Sequence, residues 1–97
     1  MAELIVREPG QVTVATPLRD GLTVGRGEEN GVVLADRKVS RRHACFHVSA
    51  AGEVSVEDLG STHGMLVNGA RMERQSLRDG DRINLGAWTE LKIVREG

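Results

Sequence analysis

The side chains best suited to chemistry in this sequence lie in two short segments. Residues 39–43 carry one serine, two arginines and one histidine, and residues 58–64 carry an aspartate, a serine, a threonine and a histidine. Hydroxyl and guanidinium groups donate hydrogen bonds to anions, and the planar fork of arginine matches the geometry of phosphate. If the fold brings the two segments together, they form a binding site for an anion such as phosphate.

Enzymatic chemistry fits these residues less well. Ser40, His43 and Asp58 are the residue types of a hydrolase triad, but this combination is common by chance in a small domain. The segment 60–64 has the outer glycines of a nucleophile elbow, yet Thr62 stands where that motif needs serine. A small hydrolase that uses Ser40 or Ser61 therefore remains a distant alternative, and we expect a protein that is not an enzyme.

A metal site or a bound cofactor is also disfavoured. His43, Cys45 and His47 have a zinc-like spacing, but on a strand the two imidazoles would lie about 13 Å apart. The segment Gly25-Arg26-Gly27 begins like a dinucleotide-binding loop, but no helical pattern follows it. We expect neither a metal ion nor a cofactor.

Composition predicts a single small β domain. The chain has 97 residues, of which 39% are hydrophobic and 2% aromatic, and its 12 glycines suit frequent chain reversals. We expect one domain over residues 1–97. The net charge of −1 and the two aromatic residues argue against a nucleic-acid partner. The lone Cys45 and the lack of an apolar run of about 20 residues predict a cytoplasmic protein without a membrane partner.

Alternating apolar residues predict the strands that must position the two segments. Paired residues two apart, such as Val12 and Val14 or Leu91 and Ile93, share one face of a strand. Hairpin turns are predicted at residues 19–21, 51–52 and 68–69, and a further turn at 79–80. No helix of useful length is predicted, since residues 72–77 are too short. The pattern predicts a β-sandwich with strands near residues 2–7, 11–16, 22–25, 31–34, 44–49, 53–58, 65–67, 70–72, 82–85 and 90–95.

The two segments and the predicted strands around them resemble the forkhead-associated (FHA) domain, a family of phosphothreonine-peptide binding modules. Six blocks in family-like order carry the resemblance over nearly the whole chain. They are Val24-Gly25-Arg26, Asn30-Gly31-Val32-Val33-Leu34, Val39-Ser40-Arg41-Arg42-His43-Ala44, Val56-Glu57-Asp58-Leu59-Gly60-Ser61-Thr62-His63-Gly64, Val67-Asn68-Gly69 and Leu77-Arg78-Asp79-Gly80-Asp81-Arg82-Ile83. The resemblance implies an all-β, SMAD-like sandwich of about eleven mostly antiparallel strands, with peptide-binding loops at one end. It implies a non-catalytic recognition module of Ser/Thr-kinase signalling whose partner is a phosphothreonine-containing protein or peptide.

The resemblance also assigns residue roles. Arg26 would hold the phosphopeptide near the phosphate, Ser40 would bond a phosphate oxygen, and Arg41 would add charge or contact the peptide backbone. Thr62 would line the pocket for the phosphothreonine methyl group and phosphate. His63 falls where the family most often has asparagine, whose amide holds the peptide main chain.

Five further residues are expected to support the loops rather than to touch the ligand: Gly25, His43, Ser61, Gly64 and Asn68. Asn68 belongs first to the hairpin turn with Gly69. One rival keeps the fold without the phosphate: a phosphate-independent interaction module, which an exposed apolar patch around Ala87 and Trp88 would support. We expect a monomer that is either a free-standing adaptor or one module of a larger protein.

Overall fold

The structure, a computed structural model, describes residues 2–95, and within that range it contains strands and turns but no helix. Accordingly, no helix in those residues is long and apolar enough to cross a membrane. The eleven strands are β1 (Ala2–Arg7), β2 (Val14–Pro17), β3 (Leu22–Gly25), β4 (Val32–Val33), β5 (Ala44–Val48), β6 (Val54–Asp58), β7 (Met65–Val67), β8 (Ala70–Arg71), β9 (Arg74–Leu77), β10 (Arg82–Leu85) and β11 (Thr89–Arg95).

Two sheets pack face to face as a sandwich. One sheet has six strands in the order β2-β1-β11-β10-β7-β8, and the other has five in the order β4-β3-β5-β6-β9. All pairings are antiparallel except that of β3 with β4. The predicted all-β sandwich of mostly antiparallel strands is therefore confirmed.

The core between the sheets consists of the inward-facing residues, which alternate with more exposed residues along the strands. Along β11, for example, Leu91 and Ile93 are fully buried, while Lys92 between them is partly exposed. Phe46 on β5 is the one buried aromatic residue, and it is 0% exposed. Each such side chain contributes about 1.5–3 kcal/mol when it leaves water, so the core holds the strands at fixed positions.

Three features differ from the sequence prediction. Strand β9 was missed, because only Leu77 among its four residues is apolar and buried. The turn at residues 19–21 is not a hairpin, since it links β2 in one sheet to β3 in the other. Val12 and Val14 do not face the core: Val12 lies outside the strands, and the two side chains are 85% and 49% exposed.

The register of the five-stranded sheet places three loops at one end of the sandwich. Val24 at the end of β3 pairs with Ala44 at the start of β5, and Ala44 pairs with Asp58 at the end of β6. The β3–β4 loop (residues 26–31), the β4–β5 loop (34–43) and the β6–β7 loop (59–64) therefore begin or end side by side. These loops contain both of the segments that the sequence analysis singled out.

Candidate functional site

Backbone hydrogen bonds join the β3–β4 loop to the β4–β5 loop. The Arg26 N–H donates to Ser40 O, and the Gly27 N–H donates to Arg41 O, both at 3.0 Å. The two backbones run so close that a Cβ on Gly25 would collide with the carbonyl group of Arg41. Only glycine fits at that position without a shift of one loop.

The buried Asn30 side chain strengthens this junction. Its amide group donates to Gly27 O and to Arg41 O, each at 2.7 Å. One side chain thus ties its own loop to the neighbouring loop. This role of Asn30 was not predicted from the sequence, because its partner Arg41 lies 11 positions away.

His43 joins the β4–β5 loop to the β6–β7 loop from inside the protein. Its side chain is 0% exposed. Nδ1 accepts the Ser40 N–H at 3.0 Å, so the neutral ring carries its proton on Nε2, which donates to Gly64 O at 2.7 Å. Both ring nitrogens are therefore engaged in holding backbone groups of two loops.

A short network shapes the β6–β7 loop itself. The Asp58 carboxylate accepts the N–H groups of Gly60 and Ser61 at 3.2 and 3.0 Å, and the Ser61 hydroxyl at 2.5 Å. The Ser61 oxygen in turn accepts the Gly64 N–H at 2.8 Å. Gly64 has φ +75°, a left-handed conformation that favours glycine. This carboxylate-centred turn fixes where Thr62 and His63 stand.

Ser40 and Thr62 meet across the two loops. The Ser40 oxygen accepts the Thr62 N–H at 3.0 Å. A serine hydroxyl has one donor hydrogen and two acceptor lone pairs, so this contact leaves the donor hydrogen of Ser40 for another partner. Thr62 is exposed and Ser40 is half-buried, so a ligand at this point contacts both residues.

Two arginines stand beside this pair. Arg26 is exposed, and its Nε donates to Val39 O at 3.2 Å. Arg41 pairs through Nε with the Glu29 carboxylate at 3.3 Å, and the two side chains are 79% and 46% exposed. An open cleft of about 430 Å³ is lined by these two arginines together with Gly27, Glu28 and Glu29, so two carboxylates share it with the two cations. The guanidinium groups, and the Ser40 hydroxyl next to Arg41 in the chain, can donate hydrogen bonds to a multiply charged anion.

The remaining predicted site residues divide by position. His63 is exposed next to Thr62. Asn68 lies in the β7–β8 hairpin with φ 49°, accepts the Arg82 N–H at 2.9 Å and donates to Asp81 at 3.0 Å. Arg71 was not predicted at the site. Its guanidinium lies over Gly64, within 3.1 Å of where a Cβ would stand.

A buried carboxylate anchors the other end of the β4–β5 loop. Asp36 is 6% exposed and accepts the N–H groups of Lys38, Ala87 and Trp88 at 2.9, 2.9 and 2.6 Å. Burial alone would raise the pKa of Asp36, but these bonds and one from the Thr89 hydroxyl outweigh it, so its pKa lies below the usual 3.8. This role of Asp36 was not predictable from local sequence, because Ala87 and Trp88 are more than fifty positions away.

The same geometry is unfavourable for hydrolysis. The Ser40 hydroxyl bonds to Thr62 and not to His43, whose ring holds the Ser40 backbone instead. The Ser61 hydroxyl donates to Asp58. Within residues 2–95, neither serine hydroxyl is hydrogen-bonded to an imidazole, whereas the nucleophile of a serine–histidine hydrolase is bonded to its base. Among residues 2–95, no group of three or more His, Cys, Asp and Glu side chains could hold a metal ion.

The loops, the sandwich and the sequence blocks define a class of protein. The sequence matches the FHA domain family over residues 22–86, and the chain belongs to that family. A solved structure reported under "Structural and functional analysis of phosphothreonine-dependent FHA domain interactions" has a TM-score of 0.86 and 30% identity, and covers 98% of both chains. The FhaA FHA domain complexed with the intracellular domain of Rv3910 has a TM-score of 0.81 and 32% identity over 93% of this chain and 98% of that one.

Among curated proteins, the oxoglutarate dehydrogenase inhibitor of Corynebacterium efficiens is 44% identical over 66 residues. That match covers 68% of this chain and 46% of the inhibitor. The chain thus spans about half the length of that relative, and the match concerns the domain that the two proteins share.

Proposed function

We propose that this domain recognises a phosphothreonine-containing segment of a partner protein and serves as a non-catalytic module of Ser/Thr-kinase signalling. The observation that carries the proposal is the contact of Ser40 with Thr62, with the exposed Arg41 next to Ser40 in the chain and the exposed Arg26 bonded to Ser40 O through its backbone N–H. Membership of the FHA family and the likeness to a domain studied for phosphothreonine-dependent interactions support it.

Each residue at the site has a proposed task. The hydroxyl hydrogen of Ser40 bonds a phosphate oxygen, and the Arg26 guanidinium neutralises charge beside it. Arg41 adds charge or contacts the peptide backbone. Thr62 lines the place for the threonine methyl group, and the His63 imidazole holds the peptide main chain where most of the family uses asparagine. A phosphothreonine carries about −1.5 to −2 charges and three acceptor oxygens, which matches two cations and a hydroxyl donor.

The free energies of the proposed hydrogen bonds are large enough to make binding depend on the phosphate group. A hydrogen bond to a charged group contributes about 1.5–3 kcal/mol, and a micromolar complex has about 8 kcal/mol in total. Two or three such bonds therefore account for most of the affinity of a phosphopeptide, and the unphosphorylated peptide has little left. The domain would act as a switch that responds to the kinase.

The setting is part of the proposal. We infer a monomer of one domain over residues 1–97 in the cytoplasm, with no nucleic-acid partner. The net charge of −1 gives no attraction to nucleic acid, and the single cysteine, Cys45, is a buried free thiol, as suits a reducing compartment. The relative from Corynebacterium efficiens is named as an enzyme inhibitor, which supports a regulatory and non-catalytic role here.

A phosphate-independent interaction module on the same fold is the second candidate, favoured by the 70% exposure of Trp88. The two candidates differ in their need for Arg26. The variant Arg26→Ala should abolish partner binding if phosphate is recognised and should leave it intact if the partner binds elsewhere.

The direct test is retention on an oriented peptide library presented as phosphothreonine, phosphoserine and unphosphorylated threonine. We expect strong retention of the phosphothreonine form, weaker retention of phosphoserine because it lacks the methyl group near Thr62, and none of threonine. Equal retention of all three forms would refute the proposal.

A further inference from the structure

Trp88 is the single tryptophan of the chain, and it lies on the surface. It stands in the turn between β10 and β11, and its side chain is 70% exposed. A scattered exposed aliphatic residue needs no explanation, but tryptophan and arginine are the residues most enriched at the energetic centres of protein interfaces. The surroundings of Trp88 indicate what it would bind.

The turn that carries Trp88 is held by the buried carboxylate of Asp36 and the half-buried carboxylate of Glu8. Asp36 accepts its N–H at 2.6 Å and that of Ala87 at 2.9 Å. Glu8 accepts the hydroxyl of the next residue, Thr89, at 2.8 Å and the N–H of Ala35 at 3.0 Å. The backbone of the turn is thus tied to two other segments, and an aromatic side chain on a fixed backbone loses little entropy on binding.

Two clefts flank the indole ring, with volumes of about 440 and 350 Å³. Glu8, Pro9 and Trp88 line both of them. The first cleft adds Asp36 and one arginine, and the second adds Glu90 and one arginine. Carboxylates therefore outnumber cations in each cleft. Glu90 forms no salt bridge within the described part of the chain.

We infer that Trp88 and the carboxylates beside it bind an arginine or lysine side chain of a partner protein. Tryptophan is the aromatic ring that attracts a cation most strongly when the cation lies within about 6 Å of its face. Glu90 supplies a carboxylate that such a cation reaches from the ring, and Pro9 offers an apolar surface for its methylene stem. The inference does not require phosphothreonine binding at the loops described above.

The position of this surface suits a partner that also meets the candidate phosphate site. Leu85, at the start of the turn, pairs with Met65, which directly follows the β6–β7 loop. Asp36 holds the turn of Trp88 and lies in the same β4–β5 loop as Ser40. The two residues are four positions apart, so their Cα atoms are at most about 14 Å from each other. One partner can therefore occupy both places.

The test uses the indole N–H resonance of the ¹⁵N-labelled protein, which reports on Trp88 alone because the chain has one tryptophan. The probe is the peptide acetyl-Gly-Arg-Gly-amide, titrated at constant ionic strength. The same peptide with citrulline, an uncharged analogue of arginine, and with norleucine, an apolar residue, serves for comparison. We expect a saturable shift with arginine and binding at least about threefold tighter than with citrulline.

Variants separate charge from the aromatic ring. Glu90→Gln should reduce the preference for arginine over citrulline. Glu3 is an exposed glutamate at the start of β1, whereas Glu8 and Pro9 follow the end of that strand, so Glu3→Gln should leave the preference unchanged. Trp88→Leu should remove the response, followed through the Ala87 amide resonance, while the rest of the spectrum shows an intact fold. Equal binding of the norleucine or citrulline peptide, or no indole shift with arginine, would overturn the inference.

Discussion

Replacing the hydroxyl group of Ser40 distinguishes a role in phosphate binding from a role in the stability of the fold. Its oxygen already accepts the Thr62 N–H at 3.0 Å, so its hydrogen is the part that a phosphate oxygen would take. The substitution Ser40→Ala removes both contacts and little volume. The lost bond to phosphate lowers the affinity for the phosphopeptide, and the lost bond to the Thr62 N–H lowers the free energy of unfolding.

The expected effect on affinity is large. Loss of a hydrogen bond to a charged phosphate costs about 1.5–3 kcal/mol, which weakens phosphopeptide binding about 10- to 150-fold. The expected effect on folding is small. Thr62 is exposed, so water replaces the lost acceptor, and the free energy of unfolding should fall by less than about 1.5 kcal/mol.

Isothermal titration calorimetry with a phosphothreonine peptide and urea unfolding of the same samples measure the two quantities. Ser76→Ala, in the exposed part of β9, is the matched control and should change neither. Binding of the Ser40→Ala variant within threefold of the wild type would refute the reasoning. A loss of unfolding free energy above about 3 kcal/mol would show that Ser40 acts mainly on the fold.

Three further substitutions test other parts of the account. His43→Phe leaves the half-buried Ser40 N–H and the buried Gly64 carbonyl without partners, so the free energy of unfolding in urea should fall by about 2–5 kcal/mol. A change below about 1 kcal/mol would contradict the role of the ring's hydrogen bonds. Glu29→Gln frees Arg41 from an exposed ion pair of at most about 1 kcal/mol and should tighten phosphopeptide binding up to about fivefold, so weaker binding would speak against a phosphate at Arg41. The pKa of Asp36 is lowered in the folded protein, so its contribution to stability is present above a pH of about 4 and is lost at lower pH. Between pH 5 and pH 2, the free energy of unfolding should therefore fall more in the wild type than in Asp36→Asn. Parallel curves for the two proteins would contradict this contribution of Asp36.

The strands that carry alternating apolar residues were predictable because burial on one face imposes a period of two. β1, β3, β7 and β10 begin and end at the predicted residues. β9 was not predictable in this way, since it lies at a sheet edge and pairs with β6 mainly through its backbone. The turn at residues 19–21 misled for a related reason: a tight turn has the same local sequence whether it joins paired strands or crosses between sheets.

For the candidate site, local sequence predicted which side chains could bind the ligand, but it did not predict the hydrogen bonds that hold the loops together. Sequence order alone does not show that Asn30 bonds Arg41, or that His43 spans 21 positions to Gly64. The contact of Glu8 with Thr89 spans 81 positions. These bonds depend on the register of strands that are distant in sequence, and a single sequence does not specify that register.

The most direct test of phosphothreonine recognition is the affinity of one library-selected peptide before and after phosphatase treatment. The only difference between the two samples is the phosphate group, and the account assigns it to Arg26, Ser40 and Thr62. We predict micromolar binding of the phosphorylated peptide and affinity at least about 100-fold weaker after dephosphorylation, as expected for the loss of two charge-assisted bonds. Affinities within threefold of each other would contradict the central claim.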